Sequence, residues 1–216
     1  MPLDALVLTG RLDAGLILAP ERYDPRRSSG VNGVPLGSLI SVSGKALSMG
    51  KMDSSLRYLV LDAGDAAEGF LRPKSDPVGA DGVNSAKKPV QPGDVIISRL
   101  RPYLRQVAFV DSALAREADS AEVVVSTEFY VLRPRKSGDS IAFLVPLLLS
   151  APVQEVLAAS QEGGHHPRFS KETLLSLSVP QHIVDERDEI SLAVEDAIQA
   201  IRRARHDLHM LSEKCA

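Results

Sequence analysis

The chain has 216 residues, 44% of them hydrophobic and 25% charged, enough for one domain of ordinary size with an added helix and too few for two full domains. Its single cysteine, Cys215, excludes a disulfide framework, and its net charge of −3 excludes a generic nucleic-acid coat, whose affinity comes from neutralised phosphates, so any DNA contact has to be local. Aromatic residues make up 4% of the chain with no Trp, which disfavours a stacking platform for single strands. No apolar run approaches 18 residues and no basic-plus-apolar signal opens the sequence, so the expectation is a soluble protein of a reducing cytoplasm without membrane contact.

In chain order, Leu6-Val7-Leu8 reads as a short strand, followed by Gly10-Arg11-Leu12-Asp13-Ala14 and a loop from Pro20 to Gly30. Alternation from Val34 to Val42 starts the folded body, and Ser43-Gly44-Lys45 is a turn with a basic tip. Lys45 and Lys51 flank a small loop, as solvated side chains or as phosphate contacts. Leu56 to Leu61 is a strand running into the turn Asp62-Ala63-Gly64-Asp65. Arg72 to Pro92 collects Pro, Gly, Asp, Ser and Lys, including Lys87 and Lys88, and reads as one long loop.

Pro92-Gly93-Asp94 is a tight turn feeding the buried strand Val95-Ile96-Ile97. Beyond it Arg99, Arg101, Tyr103 and Arg105 share one parity and in an extended backbone project from one face, with Pro102 forcing an edge or a bulge. No acidic residue between Val95 and Val110 offsets the three arginines. Two readings fit: an edge strand whose charges block aggregation, or an anion-binding face. Val123 to Val125 and Phe129 to Leu132 are further strands around Ser126-Thr127-Glu128. Ile141 to Gln161 then takes a helical period, interrupted by Pro146, restarted after Ser150-Ala151-Pro152 and stopped by Gly163-Gly164. His165, His166 and Arg168 lie in a polar loop, Lys171 to Leu177 is a helical turn, and Ser178-Val179-Pro180 closes the domain.

The last stretch carries Ile190, Val194, Ala197, Ile201, Ala204, Leu208 and Leu211 in steps of four and three, the heptad seam of a coiled-coil helix. Acidic residues crowd its first half, and Arg202, Arg203, Arg205, His206 and His209 its second. That distribution suits an antiparallel copy centred on Ile201, which sets Ile190 against Leu211 and Val194 against Leu208, whereas a parallel pair would oppose like charges. The alternative is a helix folded back on its own domain.

No catalytic constellation stands out. His165 and His166 are sequence neighbours without acidic or Cys companions, His206 and His209 fit an exposed helix face, and the glycines match neither a P-loop nor a dinucleotide fingerprint, so no cofactor or metal is expected. The order of the segments does carry a likeness. Arg11-Leu12-Asp13-Ala14, then Pro35-Leu36-Gly37-Ser38-Leu39-Ile40 with Ser43-Gly44-Lys45, then Pro92 through Pro102, then Phe169-Ser170-Lys171 to Leu177-Ser178-Val179-Pro180 and a long helix resemble the target-recognition domain and spacer helix of DNA specificity subunits in type I restriction–modification systems. Pro180-Gln181 and Glu186-Arg187 stand where that family usually has paired prolines and a Glu-Gln pair.

The resemblance implies a mixed α+β recognition domain over residues 1–180 and a spacer or dimerisation helix over 181–216. It implies a non-catalytic half subunit that reads half of a bipartite duplex site and docks methyltransferase subunits, while the heptad seam supplies the missing half as an antiparallel partner, its own copy or another half subunit. Within it Lys45, Lys51, Lys87 and Lys88 would contact phosphates, Arg99, Arg101, Tyr103 and Arg105 form the DNA face, and His165, His166 and Arg168 supply a second loop. The rival readings are a regulator or decoy that occupies a methyltransferase through its helix without reading DNA, and an enzyme with an unrecognised site.

Overall fold

The structure, a computed structural model, describes residues 32–118, 120–136, 138–163 and 166–215. The expected strand at Leu6-Val7-Leu8, the Arg11 to Ala14 motif and His165 lie outside the described residues. Two four-stranded sheets form the body. The first has the order β2 (Ile40–Ser43), β11 (Phe129–Pro134), β8 (Val95–Ser98), β9 (Val107–Phe109), antiparallel throughout. The second runs β6 (Val78–Gly79), β3 (Arg57–Leu61), β10 (Glu122–Ser126), β7 (Lys87–Pro89), with β3 and β10 parallel and both edges antiparallel.

Strand alternation builds three apolar layers from this pair. On β8, Ile96 points between the sheets with Leu59, Leu61, Val123, Val125, Phe129 and Val131, while Val95 and Ile97 point the other way. That second face, with Val107, Phe109, Tyr130 and Leu132, is covered by α3 (Leu144–Leu149), α4 (Ala151–Ala159) and α5 (Lys171–Ser176) through Leu144, Leu148, Val156, Leu157 and Leu174. The outer face of the second sheet packs Tyr58 and Val124 under Met52 and Val83.

The mixed α+β architecture with a long C-terminal helix is observed, with local differences from the expected elements. Val34 to Val42 is interrupted: β1 (Gly33–Pro35) and β2 are joined by the single turn α1 (Leu36–Leu39), which sets Leu36 and Ile40 into the core, both fully buried. A Cβ at Gly37 would stand 3.2 Å from the Leu175 carbonyl oxygen, so the absent side chain is what lets α1 lie against α5. The long loop from Arg72 to Pro92 contains β6 and β7. As two- and three-residue edge strands they carry no apolar alternation, and their pairing is decided by β3 and β10. Pro146 does not break the helix, because it sits in the first turn of α3; the break is at the extended Ser150.

The body is tied together by strand pairing and charge. β12 (Ser178–Pro180) pairs antiparallel with β1, Val34 opposite Val179. At the Pro92-Gly93-Asp94 turn, Gly93 takes φ +93°, and the fully buried Asp94 carboxylate receives both Nε and Nη2 of Arg133 at 2.8 and 2.7 Å. Asp111 caps α2 (Ser112–Glu117), accepting from the backbone N–H of Ala113 and Leu114.

After the short α6 (Gln181–Asp185), α7 (Arg187–Lys214) runs 28 residues. Its docking row is Ile190, Val194, Ile198 and Arg202, a run of i, i+4 steps that crosses the helix obliquely and leaves the heptad seam at Ile198. Beside that row, Ser191 Oγ accepts from Phe143 N–H at 3.1 Å, and Arg202 grips Asp111 with Nε at 2.8 Å and Nη2 at 2.6 Å. From Arg203 to Cys215 every residue is exposed. Ile190 and Val194, read as seam residues facing a partner, therefore lie against their own domain, because the core between α3 and the first sheet offers an apolar surface at that point. The seam residues left exposed are Ala197, Ile201, Ala204, Leu208 and Leu211. No helix among the described residues is long and apolar enough to cross a membrane.

Candidate nucleic-acid interface

The basic residues gather around one carboxylate. Glu128 sits in the turn between β10 and β11, two residues past Ser126, whose Oγ accepts from its N–H at 3.3 Å. Its Oε2 accepts from Nε of Arg99 and from Nε of Arg168, each at 2.9 Å, and its Oε1 accepts from Arg168 Nη2 at 2.7 Å. The backbone repeats the link: Arg99 N–H donates to the Glu128 carbonyl at 3.0 Å, and Phe169 N–H donates to the Arg99 carbonyl at 3.3 Å. Three segments distant in sequence are thus stitched into one surface.

The charges respond to each other. Hydrogen bonds from Arg168, reinforced by Arg99, hold the Glu128 carboxyl down at about 2 against the burial that opposes them. The same contact raises the Arg168 guanidinium. Lys88 reaches the Phe129 carbonyl at 2.6 Å and lies 5.8 Å from the centre of the Tyr130 ring. Burial and the neighbouring Arg99 lower its ammonium. Tyr130 donates from its hydroxyl to the Phe169 carbonyl at 3.1 Å, and burial pushes its phenol up. Three cations therefore lie around Glu128, with Glu172 as a second carboxylate close enough to act on Tyr130, in a chain that is acidic as a whole.

The other expected site residues are placed differently. Arg99, Arg101, Tyr103 and Arg105 do not share a face of an extended strand, because β8 ends at Ser98 and the chain turns. Arg101 and Arg105 adopt left-handed conformations, φ +46° and +51°, on either side of a 3-10 turn over Pro102–Leu104. Arg105 lies 3.2 Å from Glu68, so acids from elsewhere in the chain offset two of the three arginines, whereas Arg101 and Tyr103 project into solvent. Lys87 is not a loop phosphate contact: it points to the opposite face of β7 from Lys88 and is buried 3.4 Å from Asp62. Lys45 and Lys51 are exposed. The Lys45 segment joins the cluster's edge, since Leu47 exchanges backbone hydrogen bonds of 2.7 and 3.1 Å with Lys87. The His166 carbonyl accepts from Arg168 Nη1 at 3.0 Å.

Glu128 and Tyr130 were missed in the sequence; the available signal was a lone acid in a tripeptide turn between two apolar strands. Arginines held by a carboxylate still present planar donors to phosphate oxygens or guanine edges, while a glutamate can accept from a cytosine amino group. A cleft of about 770 Å³ lies elsewhere, between α7 and the turn at Pro92. Three of its charged side chains have partners: Asp111 holds Arg202, Arg133 holds Asp94, and Glu195 accepts from Ser140 Oγ at 2.6 Å. Among the described residues no three His, Cys, Asp or Glu side chains form a metal-binding group.

No family model matches the chain. Over 133 residues, 59% of the chain, it is 28% identical to the type I restriction enzyme HindI specificity subunit of Haemophilus influenzae, of which this covers 28%. A solved chain of a type I restriction–modification system superposes with a TM-score of 0.59 at 23% identity, and the HsdS subunit from Thermoanaerobacter tengcongensis with 0.53 at 20%. Each likeness covers 84% of this chain but only 45% and 46% of the solved ones. In sequence and in fold, the chain is similar to the specificity subunits of type I restriction–modification systems over less than half of their length.

Proposed function

We propose that the chain is a non-catalytic recognition module of a type I restriction–modification complex, which reads one half of a bipartite site in duplex DNA and directs a methyltransferase to it. The observation that carries this reading is the gathering of Lys88, Arg99 and Arg168 around Glu128 in a chain of net charge −3. Arginine forks held by a carboxylate are already ordered, so little freedom is lost when they meet DNA. The likeness to specificity subunits supports the same reading.

In this reading α7 is the spacer. Its first half is fixed to the recognition domain, and its free apolar edge, Ala197, Ile201, Ala204, Leu208 and Leu211, receives an antiparallel helix from a second recognition unit, of the same or another kind. With Ile190 and Val194 engaged at home, that pairing centres near Ala204 rather than Ile201.

The test is expression with a type I methyltransferase subunit, co-purification, and mapping of methylated adenines in the host DNA. Site-specific methylation that disappears in Arg99→Ala with Arg168→Ala supports the proposal. A complex that forms and methylates identically without those arginines removes this face from it, and a complex that forms but never engages DNA turns the reading to a decoy.

A further inference from the structure

A second basic feature lies away from Glu128. A groove of about 410 Å³ runs between the end of β5 (Phe70–Leu71) and the exposed half of α7, lined on its polar side by Arg72, Arg202, Arg205, His206 and His209. Among the described residues no carboxylate lines it. The four α7 residues fall at steps of three, one and three, which places them on one helix face. The guanidinium carbons of Arg202 and Arg205 stand 4.9 and 5.5 Å from the centre of the Phe70 ring, so the ring orders both. Arg202 is neutralised by Asp111, which leaves the charge of Arg205 and Arg72 for a ligand. Arg72 is held in place by its own backbone, its N–H donating to the Asp65 carbonyl at 2.8 Å.

We propose that this groove is a phosphate-binding site that takes the backbone of the same duplex. The proposal rests on the DNA-recognition reading above. Guanidinium forks and imidazole N–H groups match phosphate oxygens, and an open groove with one aromatic wall lacks the apolar enclosure of a small-molecule pocket. One hairpin connects it to the arginine loop. β4 (Ala66–Ala67) and β5 are joined through Glu68, which pairs with Arg105, and two residues later Phe70 meets Arg202 and Arg205. The hairpin therefore places the groove next to the 99–105 loop, with the Arg105–Glu68 pair between the two. Contacts of this kind set affinity and register and carry no base preference.

The test uses the full chain with Arg72→Ala and Arg205→Ala, measuring duplex affinity against salt concentration on a preferred and a scrambled sequence. Imidazole NMR signals of His206 and His209 are followed during titration with the duplex and, separately, with inorganic phosphate at equal phosphate concentration. The expected result is a shallower salt dependence, by about one to two in the slope of log affinity against log salt, equal loss on both sequences, and histidine shifts produced by the duplex but not by free phosphate. If Arg205→Ala lowers the melting temperature, Arg72→Gln with His209→Gln keeps the contact to Phe70 and gives the same readout. An unchanged slope with the parent binding DNA overturns the groove and leaves the Glu128 face standing. Free phosphate shifting the histidines as strongly as the duplex also overturns it, in favour of a small phosphate ligand. A parent that binds no duplex overturns the DNA-recognition reading and this assignment together.

Discussion

Asp111 and Arg202, 91 residues apart, form a two-pronged ion pair in which neither side chain is more than a tenth exposed. The carboxylate does two jobs, capping α2 through Ala113 and Leu114 and fixing α7 to the body. Removing one member of a buried pair strands the other charge, at about 3–5 kcal/mol. Arg202→Ala is expected to lower Tm by roughly 10 °C by that estimate. The double variant with Asp111→Ala should lose less than the sum of the single losses. Thermal unfolding of the four proteins checks this, and additive losses would show the two residues to be independent.

The depressed Glu128 carboxyl makes a prediction with a definite sign. A group whose acidity is strengthened by folding contributes stability above its ordinary value of 4.5, and that contribution is lost as pH falls towards about 2. The Tm difference between the parent and Glu128→Gln should be full at neutral pH and shrink below 4.5. A difference that is constant down to pH 2.5 would contradict the arginine pairing.

On DNA, the placement of the arginines separates residues that the sequence pattern grouped together. Arg99→Ala and Arg168→Ala should each weaken duplex binding by about 1–3 kcal/mol, as befits side chains contacting bases or phosphates. Lys87→Met should leave binding unchanged, since Lys87 is buried against Asp62. Titrations at a single salt concentration decide between these, and a strong loss in Lys87→Met would relocate the interface to the opposite face of β7.

The exposed half of α7 predicts how copies pair. Ala204→Glu with Leu208→Glu changes only exposed positions and should convert a self-associated protein into folded monomers, read by sedimentation, whose Tm no longer depends on protein concentration. In an antiparallel pair centred on Ala204 the two Cys215 residues stand roughly 33 Å apart by helix rise, beyond the span of about 7 Å that a disulfide bridges. Oxidation in dilute solution should therefore leave the dimer uncrosslinked, and efficient crosslinking would establish a parallel arrangement.

Much of this fold is written in local patterns. Pro92-Gly93-Asp94 before Val95-Ile96-Ile97, the apolar strands flanking Ser126-Thr127-Glu128, and the helical period after Ile141 each report their element because buried faces demand regular spacing. What escaped is what depends on distant partners. β6 and β7 carry no alternation of their own and exist because β3 and β10 offer free edges. The parity of Arg99 through Arg105 misleads because two left-handed residues and a 3-10 turn cancel the alternation that the pattern assumes. Glu128 finds Arg99 and Arg168 across 29 and 40 residues, a pairing that no local spacing encodes. The docked half of α7 follows the same rule: its apolar residues fit both a partner helix and the home core, and packing decides.

The pairing of β1 with β12 places Gly33 opposite Pro180, so everything from the first strand to the foot of the helix begins and ends at neighbouring points, about 5 Å apart as adjacent strands are. A segment closed in this way behaves as a cassette. It can be cut out and replaced through two junctions at a single location, provided that the replacement keeps counterparts of Phe143 and Asp111, which hold the helix through Ser191 and Arg202. Exchanging residues 33–180 between relatives is thus a one-site graft, and under the DNA-recognition role proposed above the sequence preference is expected to travel with the insert.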